Sequence, residues 1–145
     1  MLESLLGPYS SVGLLILRVG LAAVFIMHGW PKLNPNSPMK GTAGFAGFLK
    51  QMNVPAPTFF AWVVALLETV GAVLLILGIG TRSLGLLLAI DMLVAIVKAR
   101  IGMSHSPFAG GGGIGWEFEF LLLTGSLALT FTGPGSIALL PNLGL

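Results

Sequence analysis

The sequence has no cysteine and little charge: seven Lys and Arg with five Asp and Glu in 145 residues, 8%, against about a quarter in an ordinary soluble domain. The missing cysteine excludes a disulfide, a thiol nucleophile, a zinc knuckle and a Cys-x-x-Cys redox pair, so any redox work needs a cofactor or another subunit. So few charges cannot cover a folded domain with a water-facing shell, which excludes the soluble globular class. The formal charge of +2 comes with no basic run or stripe, which argues against a nucleic-acid partner. What is abundant is apolar: 55% hydrophobic residues and a mean hydropathy of +0.97. We therefore expect one membrane domain over residues 1–145.

Four apolar stretches carry this composition: about Ser11 to Trp30, Thr58 to Ile79, Ser83 to Arg100, and Trp116 to Thr132. Each has about the length that crosses a hydrocarbon core as a helix. None alternates with period 2 as a barrel strand does, so the expected fold is all-α, a bundle of four transmembrane helices. Trp30-Pro31, Pro55-Ala56-Pro57, Gly78-Ile79-Gly80-Thr81 and Gly133-Pro134-Gly135 punctuate the stretches. The residues before the first stretch hold Glu3 and no Lys or Arg, so we expect it to be retained and not cleaved as a signal peptide. In the first loop Phe45, Phe48, Leu49 and Met52 recur at i, i+3, i+4 and i+7, which predicts a short amphipathic helix lying at the interface. Lys32, Lys40, Lys50, Lys98 and Arg100 gather at one set of ends, with Arg82 alone at the other. The positive-inside rule then puts loops 31–57 and 98–116 in the cytoplasm and both termini outside.

Charges inside a span cost a few kcal/mol and point to pairing or function. Arg18 is about twelve residues from the loop end of the first span and Glu68 about ten into the second, which places both roughly 15 to 18 Å deep. Equal depth predicts a bidentate Arg18–Glu68 pair, with Asp91 of the third span as a second acid facing Arg18. On an α-helix Lys98 falls on the Asp91 face. The structural alternative is a buried ion network that only fixes helix register.

A second group collects at the loop end: His28, Lys32, Lys98, Arg100, Glu117 and Glu119. Glu117 and Glu119 lie about 200° apart around a helix, so one of them is expected to be interfacial. Trp116, beside Glu117, joins the binding candidates, although Trp30, Trp62 and Trp116 all sit where indoles form interfacial belts. Gly110-Gly111-Gly112-Gly113-Ile114-Gly115 has the composition of a phosphate loop but neither the following Lys-Ser/Thr nor a preceding strand. It reads as a flexible or re-entrant segment. His28 and His105 lack ligand spacing, and no metal is expected.

These residues resemble the DoxX family of small four-helix membrane proteins. Leu17-Arg18-Val19-Gly20 through Phe25, His28-Gly29 and Lys32 is similar to the family's opening. Gly44-Phe45-Ala46-Gly47-Phe48-Leu49 with Val54-Pro55-Ala56-Pro57 resembles its GFAGFL…PAP stretch. Glu68-Thr69-Val70-Gly71-Ala72, Leu77-Gly78-Ile79-Gly80-Thr81-Arg82 and Gly113-Ile114-Gly115-Trp116-Glu117-Phe118 follow in the family's order. Two departures stand out. Lys98 and Arg100 occupy the region where members often carry a His, and Glu119 stands where many have Pro. The resemblance implies an integral membrane protein associated, in parts of the family, with oxidoreductase assemblies that handle thiosulfate and quinone or oxidative stress.

The leading functional expectation is a membrane subunit or accessory of an oxidoreductase system, inactive alone, that holds a quinone or another small redox-active or anionic molecule. Arg18 and His28 would donate hydrogen bonds and Glu68 would relay protons. Lys32, Asp91, Lys98, Glu117 and Trp116 complete the binding set. A homo-oligomer or an oxidoreductase partner is expected in the plasma membrane. Two alternatives remain open: transport of a small molecule or weak acid, against which the sequence shows no internal repeat of the kind many transporters use, and a structural membrane subunit without its own chemistry.

Overall fold

The computed structural model describes residues 7–109 and 115–140, and every regular element among them is helical. A 3-10 turn, Gly7–Tyr9, leads into α1, Ser10–Leu33, which continues through Pro31. The sequence predicts a stop at Trp30-Pro31. A proline in the last turn forfeits one amide hydrogen bond and leaves the rest of the helix intact, so Lys32 remains helical. The first loop contains α2, Gly41–Gln51. Next come α3, Pro57–Leu77, whose turn Leu67–Gly71 is π-helical, and α4, Thr81–Val94, which passes without a break into a π-helical extension, Ala95–Met103. The last element, α5, is Glu117–Thr132. Gly78 ends α3 in the left-handed conformation at φ 75°, with its amide on Leu75 O and that of Ile79 on Leu74 O. A side chain is disfavoured there.

Among the described residues, two helices are by length and composition long and apolar enough to cross a membrane, Gly7–Leu33 and Pro57–Leu77. With 16 residues, α5 is shorter than a full span of about 20. Helices α1, α3, α4 and α5 share one core, built on Phe25, Ala72, Leu75, Leu88, Leu122 and Leu129. Their opposite faces leave large apolar side chains outside, among them Ile16, Met27, Leu121 and Phe131. Such a surface suits hydrocarbon and not water.

The register of α1 on α3 positions everything polar. A Cβ built on Gly29 would lie 2.7 Å from Glu68 Cβ, and one on Gly78 would run into the Arg18 guanidinium. Gly29 is therefore level with Glu68, and Arg18, about 16 Å higher along α1, is level with the end of α3. The first turns of α3 project past the end of α1. The space left below α1 is filled by α2, whose Phe45 and Leu49, with Met52 just past its end, are buried in a second cluster with Ala61 of α3. The apolar stripe of α2 is thus buried mainly against protein.

Candidate functional site

Glu68 sits in the π turn of α3 and is 2% exposed. Widened turns of this kind are rare in helices and frequent at functional sites. The neighbouring Thr69 hydroxyl donates to the Ala65 carbonyl at 2.6 Å, a side-chain bond that bends a helix locally. Across from it, Gly29 brings the α1 backbone against Glu68 and Thr69. Lys32, one turn further along α1, then meets Glu68: its Nζ donates to Oε2 in a short ion pair, with only 13% of the lysine side chain exposed. The same ammonium lies 4.8 Å from the centre of the Phe45 ring on α2, a cation–π contact.

Asp91 of α4 completes the cluster. Its carboxyl group lies against that of Glu68 and within the field of Lys32, while Oδ2 is buried without a partner. Three helices thus bring Lys32, Glu68 and Asp91 into one cluster, with Glu68 paired to the ammonium and Asp91 beside it.

This corrects the expected Arg18–Glu68 pair. Arg18 is fully buried, but its Nη1 donates to Ile76 O at 3.3 Å and its Nη2 to Ile137 O. Arg18 therefore binds the last carbonyls of α3, where the helix dipole favours a cation, and ties down the strand of chain that follows α5. Asp91, expected to face Arg18, faces Glu68 and Lys32 instead. The reason lies in two geometric facts. Equal depth assumed that α1 and α3 end at one level, whereas they are staggered. In addition, helical side chains lean toward their own N-terminus, so in antiparallel helices Arg18 and Glu68 lean apart. The same lean carries Lys32 back toward Glu68.

The remaining candidates scatter. His28 is exposed on the outer face of α1, its ring 5.5 Å from that of Phe118. The two border a groove of about 300 Å³ completed by Ala23, Val24 and Met27. Lys98 is exposed and lies off the Asp91 face, because each residue of the π extension advances less than the roughly 100° of an α-helix. Arg100 is turned inward and pairs with Glu119 at 2.7 Å. Both residues belong to the group of cations and acids that the sequence gathers at the loop end, although neither is in the expected binding set. Trp116 packs edge-on against Phe108, with ring centres 4.5 Å apart, and Glu117 has a buried Oε2 without a partner. Gly115 is held against the carbonyls of Pro107 and Phe108. Residues 110–114 of the glycine-rich loop lie outside the described residues. Among the described residues no three His, Asp or Glu side chains gather as a metal set.

The family model named DoxX matches residues 13–100. The chain belongs to the DoxX family. It is 35% identical over 130 residues to CatD of Bacillus subtilis, a DoxX relative that carries the provisional name of an oxidoreductase; the match covers 90% of this chain and 86% of CatD. Two Escherichia coli relatives are named as inner membrane proteins. YphA is 28% identical over 92% of this chain and 91% of its own length, and YqjF is 32% identical over 88% and 89%. No solved structure matches the chain. With its apolar helices and its family, this DoxX protein is a membrane protein.

Proposed function

We propose that this DoxX protein is a membrane subunit or accessory of an oxidoreductase system, in which the Lys32–Glu68–Asp91 cluster holds and passes a proton for a lipid-soluble carrier of the quinone class. The observation that carries the reading is the excess of acid in a buried site: the Lys32–Glu68 ion pair has a second carboxyl group, Asp91, beside it and within the field of the same ammonium. A carboxyl group in that setting can bind and release a proton with little movement of the helices. The provisional oxidoreductase name of CatD points the same way. A quinone, when bound, takes up electrons and protons together. Its ring suits the apolar groove beside His28, where the imidazole offers a hydrogen bond and Phe118 a flat apolar wall. Without cysteine the chain relies on a partner for electrons. Arg18 acts in this scheme as a clamp on α3 and on the segment after α5, outside the proton path. Lys98, Glu117 and Trp116 sit at the mouth through which protons and partner would approach.

The same reading takes α1, α3, α4 with its extension, and α5 as four spans in the plasma membrane, with α2 near the interface and the whole chain as one domain. Lys32 and Arg100 are committed to ion pairs, so orientation rests on Lys40, Lys50 and Lys98 against Arg82. That balance puts loops 31–57 and 98–116 in the cytoplasm. A reporter active only in the cytoplasm, fused after Leu145, is expected to stay dark.

Native mass spectrometry of the protein released in mild detergent tests the function. A retained isoprenoid quinone or an oxidoreductase subunit is expected, with quinone retention lost in His28→Leu. In the assembled complex Glu68→Gln should abolish turnover while the protein still folds. A bare protein carrying only ordinary lipid, with Glu68→Gln fully active, overturns the reading.

A further inference from the structure

We propose that Phe45 is a positioning residue of the buried cluster, acting through Lys32, and that α2 thereby seals the cluster from the loop end; this rests on the reading of the cluster as a proton holder. Lys32 comes from the last turn of α1, where a long flexible side chain at a helix end would ordinarily extend into the headgroups. It turns inward instead, and two groups receive it: the Glu68 carboxylate and the face of the Phe45 ring. The ring itself is fixed. Phe45 is 6% exposed, stacks on Phe48 with centres 6.3 Å apart, and belongs to the cluster in which Leu49 and Met52 are buried with Ala61. Gly41 starts α2 at φ 66°, close against Pro35, in a conformation that disfavours a side chain.

The arrangement separates two tasks. Glu68 supplies the charge that Lys32 neutralises. Phe45 supplies an apolar surface with a negative face, which holds an ammonium without offering it an acid and without admitting water. A second carboxylate at that position would compete with Glu68 for Lys32, and an aliphatic side chain would leave the outer side of the ammonium with no attractive contact. Lifting α2 would expose Lys32 and with it the path to Glu68, so water access to the cluster is set by how firmly α2 is seated.

The test uses the full-length protein in lipid nanodiscs and reads two quantities. The first is the rate at which an amine-directed reagent modifies Lys32, measured by mass spectrometry with Lys40 and Lys50 as internal references. The second is the infrared carbonyl band of a protonated carboxyl group and its rate of hydrogen–deuterium exchange. Phe45→Leu should raise the Lys32 labelling rate about fivefold, the factor that an ordinary cation–π contact represents. It should speed exchange of the carboxyl band by a similar factor. Phe45→Tyr should restore both. A fluorinated phenylalanine at position 45, which keeps the shape and weakens the negative face, should fall between wild type and the leucine variant. Labelling that is unchanged in Phe45→Leu, or raised equally by leucine and tyrosine, overturns the role of Phe45. A wild-type spectrum with no carboxyl band that Glu68→Gln or Asp91→Asn removes overturns the cluster reading instead, so the two failures are distinguishable.

Discussion

The two halves of the molecule, α1 with α3 and α4 with α5, solve the same electrostatic problem with the same three devices. Each places an arginine early in its first helix under the last carbonyls of its second: Arg18 on Ile76 O, and Arg82 on Thr130 O and Phe131 O at 2.9 and 2.6 Å. Each pairs a cation from the far end of the first helix with a glutamate of the second, Lys32 with Glu68 and Arg100 with Glu119. Each also uses a glycine where backbones touch. Gly29 lies against Glu68, and a Cβ on Gly85 would be 2.8 Å from both Ser126 O and Thr130 Oγ1. What differs is burial and balance. In the second half Arg100 is 30% exposed and meets its acid one to one, whereas in the first the Lys32–Glu68 pair is nearly dry and takes on Asp91 from the other half. The shared devices build the fold. The surplus acid marks the half where chemistry is proposed.

Removing one cation from each half tests that contrast most strongly. Lys32→Met leaves the buried Glu68 carboxylate, with Asp91 beside it, without its counter-charge and is expected to cost about 3–5 kcal/mol. Arg100→Met breaks a partly exposed pair and should cost about 1 kcal/mol or less. Unfolding of both variants in mild detergent, followed by circular dichroism against heat or denaturing detergent, measures the difference. Equal losses would mean that the two pairs are equivalent and that Asp91 adds nothing to the first.

A smaller effect sharpens the packing half of the comparison. Gly29→Ala and Gly85→Ala each force a methyl group into atoms of the facing helix, and overpacking of this kind costs about 1–3 kcal/mol. Gly20 on α1 has nothing within 4 Å of a built Cβ, so Gly20→Ala should be neutral or stabilising by up to about 1 kcal/mol. If Gly29→Ala behaves like Gly20→Ala, the close approach of α1 to the Glu68 turn is wrong.

The smallest contrast is between the two arginine caps. Arg18→Met removes a buried guanidinium from the end of α3 and from Ile137, and should cost up to about 2 kcal/mol. Proteolysis near residues 136–139 should become faster in that variant, because Arg18 is one of the ties on that segment, with Ser11 on Ser136 and Leu77 on Leu139 as the others. Arg82 is exposed, and Arg82→Met should change stability by about half that or less. A larger loss for Arg82→Met would reverse the assignment of the stronger clamp.

Composition, periodicity and punctuation were enough to read an all-α membrane protein from the chain. The apolar stretches anticipated α1 and α3 to within a few residues at each end, and the spacing of Phe45, Phe48, Leu49 and Met52 anticipated the helix α2, of whose stripe Phe45, Leu49 and Met52 are buried and Phe48 is half-buried. Glu68 and Asp91 were legible as charges that have no business in an apolar helix unless partnered. Which partner each took was not legible. Pairing depends on the stagger of α1 on α3, which Gly29 sets through a backbone contact, and on the lean of each side chain toward its own helix N-terminus. The π turns at Leu67–Gly71 and Ala95–Met103 then rotate residues off the face that α-helical spacing assigns, which sent Lys98 outward and Arg100 toward Glu119. Sequence alone therefore determined the solvent this chain requires and the charges it must hide in it, because both follow from residue chemistry. The tertiary structure decided which charges meet, because that depends on the offset and winding of helices whose contacts are distant in sequence.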